Sequence, residues 1–278
     1  MQKYEPGMAG IYKTSAGKLN LNDNIEFYDS GEIKGGHLSE PQIIDMDAGM
    51  LKINGCIEFY ENGMVSSCTL FEPQVIDTLT RKLKLKGDIL FHKSGKIRSG
   101  LLSEPQIIDT SAGKLKLTGN IEFHESGKVK EGHLSEVQVI DTPTRSLKLN
   151  GDIGFHKSGK ILSGFLSEVQ LIDTSAGKLK LKGKIEFHEK GKVKRGHLSE
   201  PPQVVETPIG SLDLNGDIWF HRSGRIKIIC LNEKMQVAGK TFMEETRVGW
   251  DEEGDFLGEM YYDVILDDFV PKKNKQDR

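Results

Sequence analysis

Five histidines, His92, His124, His156, His188 and His221, each follow a phenylalanine, and this column is the first place to look for chemistry. Imidazoles ligate metals and carry protons, but a metal needs them converging within a few ångströms. These recur one repeat apart, and equivalent positions two strands apart lie ~9.5 Å from each other. The pattern predicts a ladder of exposed histidines beside turn lysines. A sparser set, His37, His133 and His197, shares its slot with Leu101 and Phe165, which reads as a partly buried packing position and not a ligand. Carboxylates recur as well: Glu40, Glu72, Glu104, Glu136, Glu168 and Glu200, then Asp45, Asp77, Asp109, Asp141 and Asp173. Paired acids along a groove suit glycoside chemistry. An Asp repeated at each chain corner reads instead as a turn residue bonding the backbone two residues on. Cys56, Cys68 and Cys230 are odd in number and lack metal-ligand spacing, which argues against a disulfide framework. The hairpin register expected below places Cys56 opposite Cys68, as reduced packing thiols. There is no phosphate-binding glycine motif, nucleophile elbow or metalloprotease helix. A catalytic site is unique, whereas almost every conspicuous residue here is copied, so the chain reads as non-enzymatic, without cofactor or metal.

The copying is regular. The phenylalanines of Ile-x-Phe stand at Phe27, Phe59, Phe91, Phe123, Phe155, Phe187 and Phe220, with the doubled Pro201-Pro202 accounting for the one residue added to the 32-residue period. Such a period means stacked modules and not a globule around one core. A 64-residue superperiod lies on top: copies four and six share TSAGKLKL and copies three and five share FHKSGKI.

Within the fourth copy, Leu115, Leu117, Gly119, Ile121 and Phe123 alternate with Lys114, Lys116, Thr118, Asn120, Glu122 and His124. A period of two is a half-buried strand with one apolar and one charged face. Glu125-Ser126-Gly127 then turns the chain. A two-residue turn would pair Phe123 with Lys130. A three-residue loop with left-handed Gly127 pairs Phe123 with Val129 and Glu122 with Lys130, setting apolar on apolar and acid on base. The second register is expected. The return segment reads as a strand near 128–134, a bend at Gly132 and the proline slot (Pro41, Pro73, Pro105, Pro201), then a short strand near 137–140. The fold class is therefore all-β, an elongated antiparallel β-hairpin repeat array, with a β-solenoid as the alternative.

The organisation expected is a lead-in at 1–13, seven repeats over 14–237, a degenerate eighth repeat or acidic cap at 238–270, and a disordered tail at 271–278. In the eighth copy Trp250 stands where Phe would and Gly254 where the turn glycine would. Net charge is −3, but residues 79–206 hold 23 Lys+Arg against 15 Asp+Glu, while 232–270 hold 3 against 11. No run of 18 apolar residues favours a membrane span, and MQKYEPGMAG lacks the look of a signal peptide. A cytoplasmic setting is favoured, with a processed secreted form left open.

The hairpin phrases FYDSGEIKGG (27–36), FYENGMVSS (59–67), FHKSGKIRSG (91–100) and FHESGKVKEG (123–132) resemble the MORN-repeat variant typified by the YwqK-type antitoxin family. This chain departs from that pattern with His for Tyr in five copies, Ser-Gly for Asn-Gly, and an added LSE-PQ-IID segment. The resemblance implies a β-hairpin repeat serving as a scaffold for proteins or lipid headgroups.

Function then reads as a scaffold presenting an extended surface to a protein partner. The alternative is a binder of anionic lipid or nucleic acid through lysine rows. For nucleic acid the exposed aromatic interleaving is missing, since the phenylalanines face inward. Candidate partner contacts are Lys114, Lys116, Lys128, Lys130, Lys180, Lys182 and Lys194, with Trp250, Tyr261 and Tyr262 in the acidic end.

Overall fold

The structure is a computed structural model that describes residues 8–22, 25–78, 81–142, 145–231, 233–263 and 268–272. Most of the expected tail, 273–278, lies outside the described residues. Strands, turns and bends make up the described chain, with no helix. Thus no helix is long and apolar enough to cross a membrane. The chain divides into two compact units, 1–135 and 136–278, a division that the unbroken repeat does not announce.

In the first unit, Gly49–Phe59 pairs with Gln42–Met46 and Ile33–His37 on one side and Val65–Leu70 on the other. Lys82–Phe91, Ile97–Leu102 and Gly113–Phe123 continue the same order. The second unit repeats it with Ser146–Phe155, Ile161–Thr174, Gly177–Phe187, Val193–Thr207 and Gly210–Phe220. Every described pairing is antiparallel, between consecutive strands or across one or two short intervening ones, which is a hairpin array and not the parallel coils of a solenoid.

The inward face is the apolar one the alternation demands. Leu115, Leu117, Ile121 and Phe123 are at most 2% exposed. Gly119 departs from the even alternation: it takes φ +69° in a bulge where the ladder jumps from Thr118↔His133 to Glu122↔Glu131. Gly55, Gly87, Gly151, Gly183 and Gly216 repeat the positive φ. Gly132 does not bend the strand as expected. It lies inside the strand Val129–Asp141, and a Cβ there would come within 2.8 Å of Leu117 Cδ1. That glycine makes room for the facing leucine, as Gly100, Gly164 and Gly196 do for Leu85, Leu149 and Leu181.

At the outer turn, Gly127 N–H donates to the His124 carbonyl and His124 N–H to the Lys128 carbonyl, with Gly127 at φ +82°. This is the three-residue loop, and it sets Phe123 against Val129. The next ladder pair is Glu122↔Glu131, one residue off expectation because of a second bulge, yet Lys130 still reaches Glu122 at 2.8 Å. The same bulge in copy two corrects the cysteine expectation. Cys68 pairs with Ile57 and is buried, while Cys56 pairs with His37 on the exposed face. A one-residue slip moves a side chain to the other face.

Most inner turns are made by threonine, not aspartate, with Met46 in its place in the turn Met46↔Gly49. Thr110 Oγ1 accepts from Ala112 N and donates to the Gly113 carbonyl, and Thr14, Thr174 and Thr207 make the same pair of bonds. Asp109 stands opposite Lys114 instead. Prolines 41, 73 and 105 split the return segment into two strands, whereas Ile161–Thr174 runs unbroken and Val193–Thr207 passes through Pro201-Pro202. Where the ladder lapses, glutamine replaces it. Gln106 accepts from Lys84 N at 3.0 Å and donates to Lys84 O at 2.8 Å. Gln42, Gln74, Gln170 and Gln203 clasp the backbone of Asn20, Lys52, Lys148 and Lys180 in the same way.

Candidate interaction surface

The same alternation that buries one side chain presents the next to solvent. In each Gln-Ile/Val-Ile/Val stretch the second aliphatic is core and the first points out. Ile44, Ile76 and Ile108 have no exposure, while Ile43, Val75 and Ile107 are 62–70% exposed. With Ile11 they form an aliphatic column at one residue per repeat in the first unit. Val139, Leu171 and Val204 occupy the slot in the second unit, 43–66% exposed. Seven copies hold only Ile, Val or Leu at a position where solvent contact would allow any residue. Single exposed aliphatics need no explanation, but a periodic set does. Nothing in the sequence sets this column apart, since the whole Ile-Ile-Asp stretch reads as a short strand and a corner.

Each aliphatic has a lysine as ladder partner in the middle copies: Ile43↔Lys52, Val75↔Lys84, Ile107↔Lys116 and Leu171↔Lys180. Several of these lysines are paired. Lys52, Lys84 and Lys148 lie 3.8, 3.4 and 2.8 Å from Glu72, Glu104 and Glu168. Lys52 also sits 4.1 Å over the Phe71 ring.

Of the predicted contacts, Lys114, Lys116 and Lys180 are exposed on these outward strand positions, with Lys182 half-buried opposite His197. Lys128 stands at the outer turn. Lys130 is held by Glu122, whose hydrogen bond pushes the ammonium pKa up against some desolvation. Lys194 lies 3.6 Å from Glu186. These residues therefore fall in two places: the strand face beside the aliphatic column, and the outer-turn end where the charges pair locally.

Trp250 is a correction. It is fully buried, paired with Phe256 and tilted 5.7 Å from its ring, so no partner can reach it. It fills the inward Phe slot of an eighth hairpin, in which Gly254 has φ +99° and donates to the Asp251 carbonyl. Tyr261 and Tyr262 are 45% and 46% exposed, on the hairpin formed by Phe256–Asp263 and Asp268–Pro271. Its Phe269 packs edge-on against Trp219 at 5.2 Å, and Asp268 holds Lys227 at 2.6 Å. Some acids of the terminal segment thus fasten it to its own unit. Asp251 caps the turn, accepting from the N–H groups of Glu253, Gly254 and Asp255.

The histidine column is not the exposed ladder expected. Nε2 of His92, His156, His188 and His221 lies 3.1, 3.0, 2.9 and 2.8 Å from the carbonyl of Phe123, Phe187, Phe220 and Trp250. A carbonyl only accepts, so Nε2 carries the hydrogen. Tyr28 and Tyr60 donate to Phe59 and Phe91 from the same slot. These rings are half-buried tie-points between copies. His188 has its pKa pushed down by burial, with Lys194 and Arg222 adding to the effect and the Phe220 carbonyl opposing it. The second histidine set departs from expectation in part: His37 and His133 are exposed, as are Leu101 and Phe165, whereas His197 is half-buried against Asp217, so the slot is outward in most copies. Among the described residues no group of three or more His, Cys, Asp or Glu is placed to hold a metal ion.

No protein-family model matches the chain, and no curated protein matches it. These comparisons therefore lend no support to the MORN-type resemblance. Among solved structures, "Crystal Structure of TcdB2-TccC3-Cdc42" aligns at 8% identity and a TM-score of 0.15, over 90% of this chain and 14% of that one. "Structure of Photorhabdus luminescens Tc holotoxin pore, Mutation TccC3-D651A" aligns at 10% identity and 0.14, over 85% of this chain and 14% of that one. The chain thus spans about a seventh of the length of either, and similarity this low carries no argument about fold or function.

Proposed function

We propose that the protein is a non-enzymatic β-repeat scaffold whose outward aliphatic columns dock a protein partner. The observation behind this reading is the sevenfold recurrence of Ile, Val or Leu at exposed positions, Ile43, Val75 and Ile107 foremost. Singly exposed aliphatics are ordinary on a protein surface, but a row spaced by the sheet offers a partner repeated apolar contacts at a fixed interval. Association through them is driven by removal of apolar surface from water, at about 25 cal/mol per Å² before the costs of association.

Anionic lipid or nucleic acid is the competing class of partner. Lys52, Lys84 and Lys148 have neighbouring glutamates, which lowers the local positive charge available to a phosphate row. Salt separates the two classes, because phosphate contacts release counterions and weaken steeply between low and moderate salt, whereas apolar contacts do not. The experiment is a pull-down from the source cell at 50 and at 200 mM salt, with mass spectrometry and a nuclease-treated control, values chosen from the range over which counterion release acts (about 50–200 mM). A protein recovered equally at both salts supports the scaffold. Recovery only at low salt, or only with nucleic acid intact, overturns it.

A further inference from the structure

Two side chains on neighbouring strands of the first unit, a thiol and an imidazole, stand within hydrogen-bond reach of each other and away from the aliphatic surface. His37 ends the strand Ile33–His37, and Cys56 is its direct ladder partner on Gly49–Phe59. Cys56 Sγ lies 3.2 Å from His37 Nδ1, and both residues are exposed.

Other copies show what this pair of positions ordinarily holds. In one, Thr69 Oγ1 donates to Asp88 Oδ1 at 2.6 Å. In another, His197 Nδ1 lies 2.9 Å from Asp217 Oδ1. In both of these a hydrogen-bonding side chain faces a carboxylate across the strands, while in two further copies Leu101 faces Asn120 and Phe165 faces Lys184. Copy two differs from all four, setting a thiol before the imidazole. The other thiols are unlike this one. Cys68 is buried, and burial followed by the charge of Asp88 pushes its thiol up to about 12. Cys230 is half-buried, pushed up mainly by burial, and its sulfur lies 3.8 Å from the Glu245 carbonyl.

We propose that Cys56 and His37 form a covalent modification site for soft carbon electrophiles. Sulfur attacks the electrophilic carbon, and the new S–C bond forms as the bond to the leaving group breaks, its electron pair departing with that group. The thiol proton passes to His37 Nδ1 and from there to water. A nucleophile within hydrogen-bond reach of a base is the arrangement this chemistry requires.

The fold supplies its own control, because Leu101 and Phe165 occupy the His37 position in other copies. H37L is therefore compatible with the strand, and H37Q keeps a polar side chain there. The test treats the full chain with iodoacetamide near neutral pH and follows each cysteine by peptide mass spectrometry. Cys56 is expected to react at least about tenfold faster than Cys68 or Cys230, with both variants slowing Cys56 about fivefold or more and leaving the other two unchanged. Equal Cys56 rates in wild type and H37Q, slowing by H37L alone (simple shielding), or a Cys56 no faster than Cys230 would each overturn the proposal.

Discussion

The Nε2 atom of His92 lies 3.1 Å from the carbonyl oxygen of Phe123, one repeat further on. The residues after Phe91, Phe155 and Phe187 thereby occupy the carbonyl of the next copy's Phe, and Tyr28 and Tyr60 show that a phenol serves equally. Replacing His92 with Ala should cost about 1–2 kcal/mol, since the acceptor loses its partner beside a buried ring. His92→Tyr should be tolerated. Urea midpoints of the two variants check this, and an unchanged midpoint for the alanine would return the histidines to the exposed ladder.

Phe123 carries the inward side of the same arrangement. It is 2% exposed and opposes Val129. Phe123→Ala should destabilise by about 3–5 kcal/mol through lost burial and the cavity left behind. Thermal or urea unfolding measures it, with a loss below about 1 kcal/mol contradicting the assignment of faces.

Acid should weaken the array at His188. Its folded pKa lies below the ordinary 6.5, chiefly through burial. Between those two values the unfolded chain binds the proton more readily than the folded one, so stability is full above pH 6.5 and is lost as pH falls through the folded pKa. His188→Tyr, which imitates Tyr28, should flatten the fall in urea midpoint on acidification. An equal fall in both proteins would show that His188 is not responsible.

Gln106 stands in for missing ladder bonds by clasping both backbone groups of Lys84. Gln106→Ala should speed hydrogen exchange at the Lys84 amide by about tenfold while the core amides of Lys82–Phe91 hold theirs. No change at Lys84 would mean that the amide is protected by something other than the glutamine.

Much of this was legible in the chain. Alternation at Leu115, Leu117, Ile121 and Phe123 named the core face, and Gly127 named the loop and hence the Phe123↔Val129 pair. What alternation hides is the bulge. Gly119 occupies an even-looking place in the pattern yet adopts φ +69°, and a second slip follows at Glu122/Phe123. Those slips misplaced Cys56 relative to Cys68, because a register error of one residue exchanges the faces. The histidine tie-points were invisible for a different reason: their acceptor is a carbonyl 31 residues away, which no side-chain pattern marks. The lysines drew attention because charge is conspicuous, whereas the column of Ile43, Val75 and Ile107 blends into ordinary strand composition until exposure separates it from Ile44, Ile76 and Ile108.

The central claim is that the aliphatic column is the docking surface, and its most direct test is a triple substitution in one unit. Ile43, Val75 and Ile107 are each more than 60% exposed, so their joint replacement by serine should leave the unfolding midpoint nearly unchanged. Binding of the partner recovered from the cell is then measured by titration for wild type and triple variant. The account predicts at least a tenfold loss of affinity, about 1.4 kcal/mol, in a protein that remains folded. Undiminished affinity in the folded triple variant would contradict it.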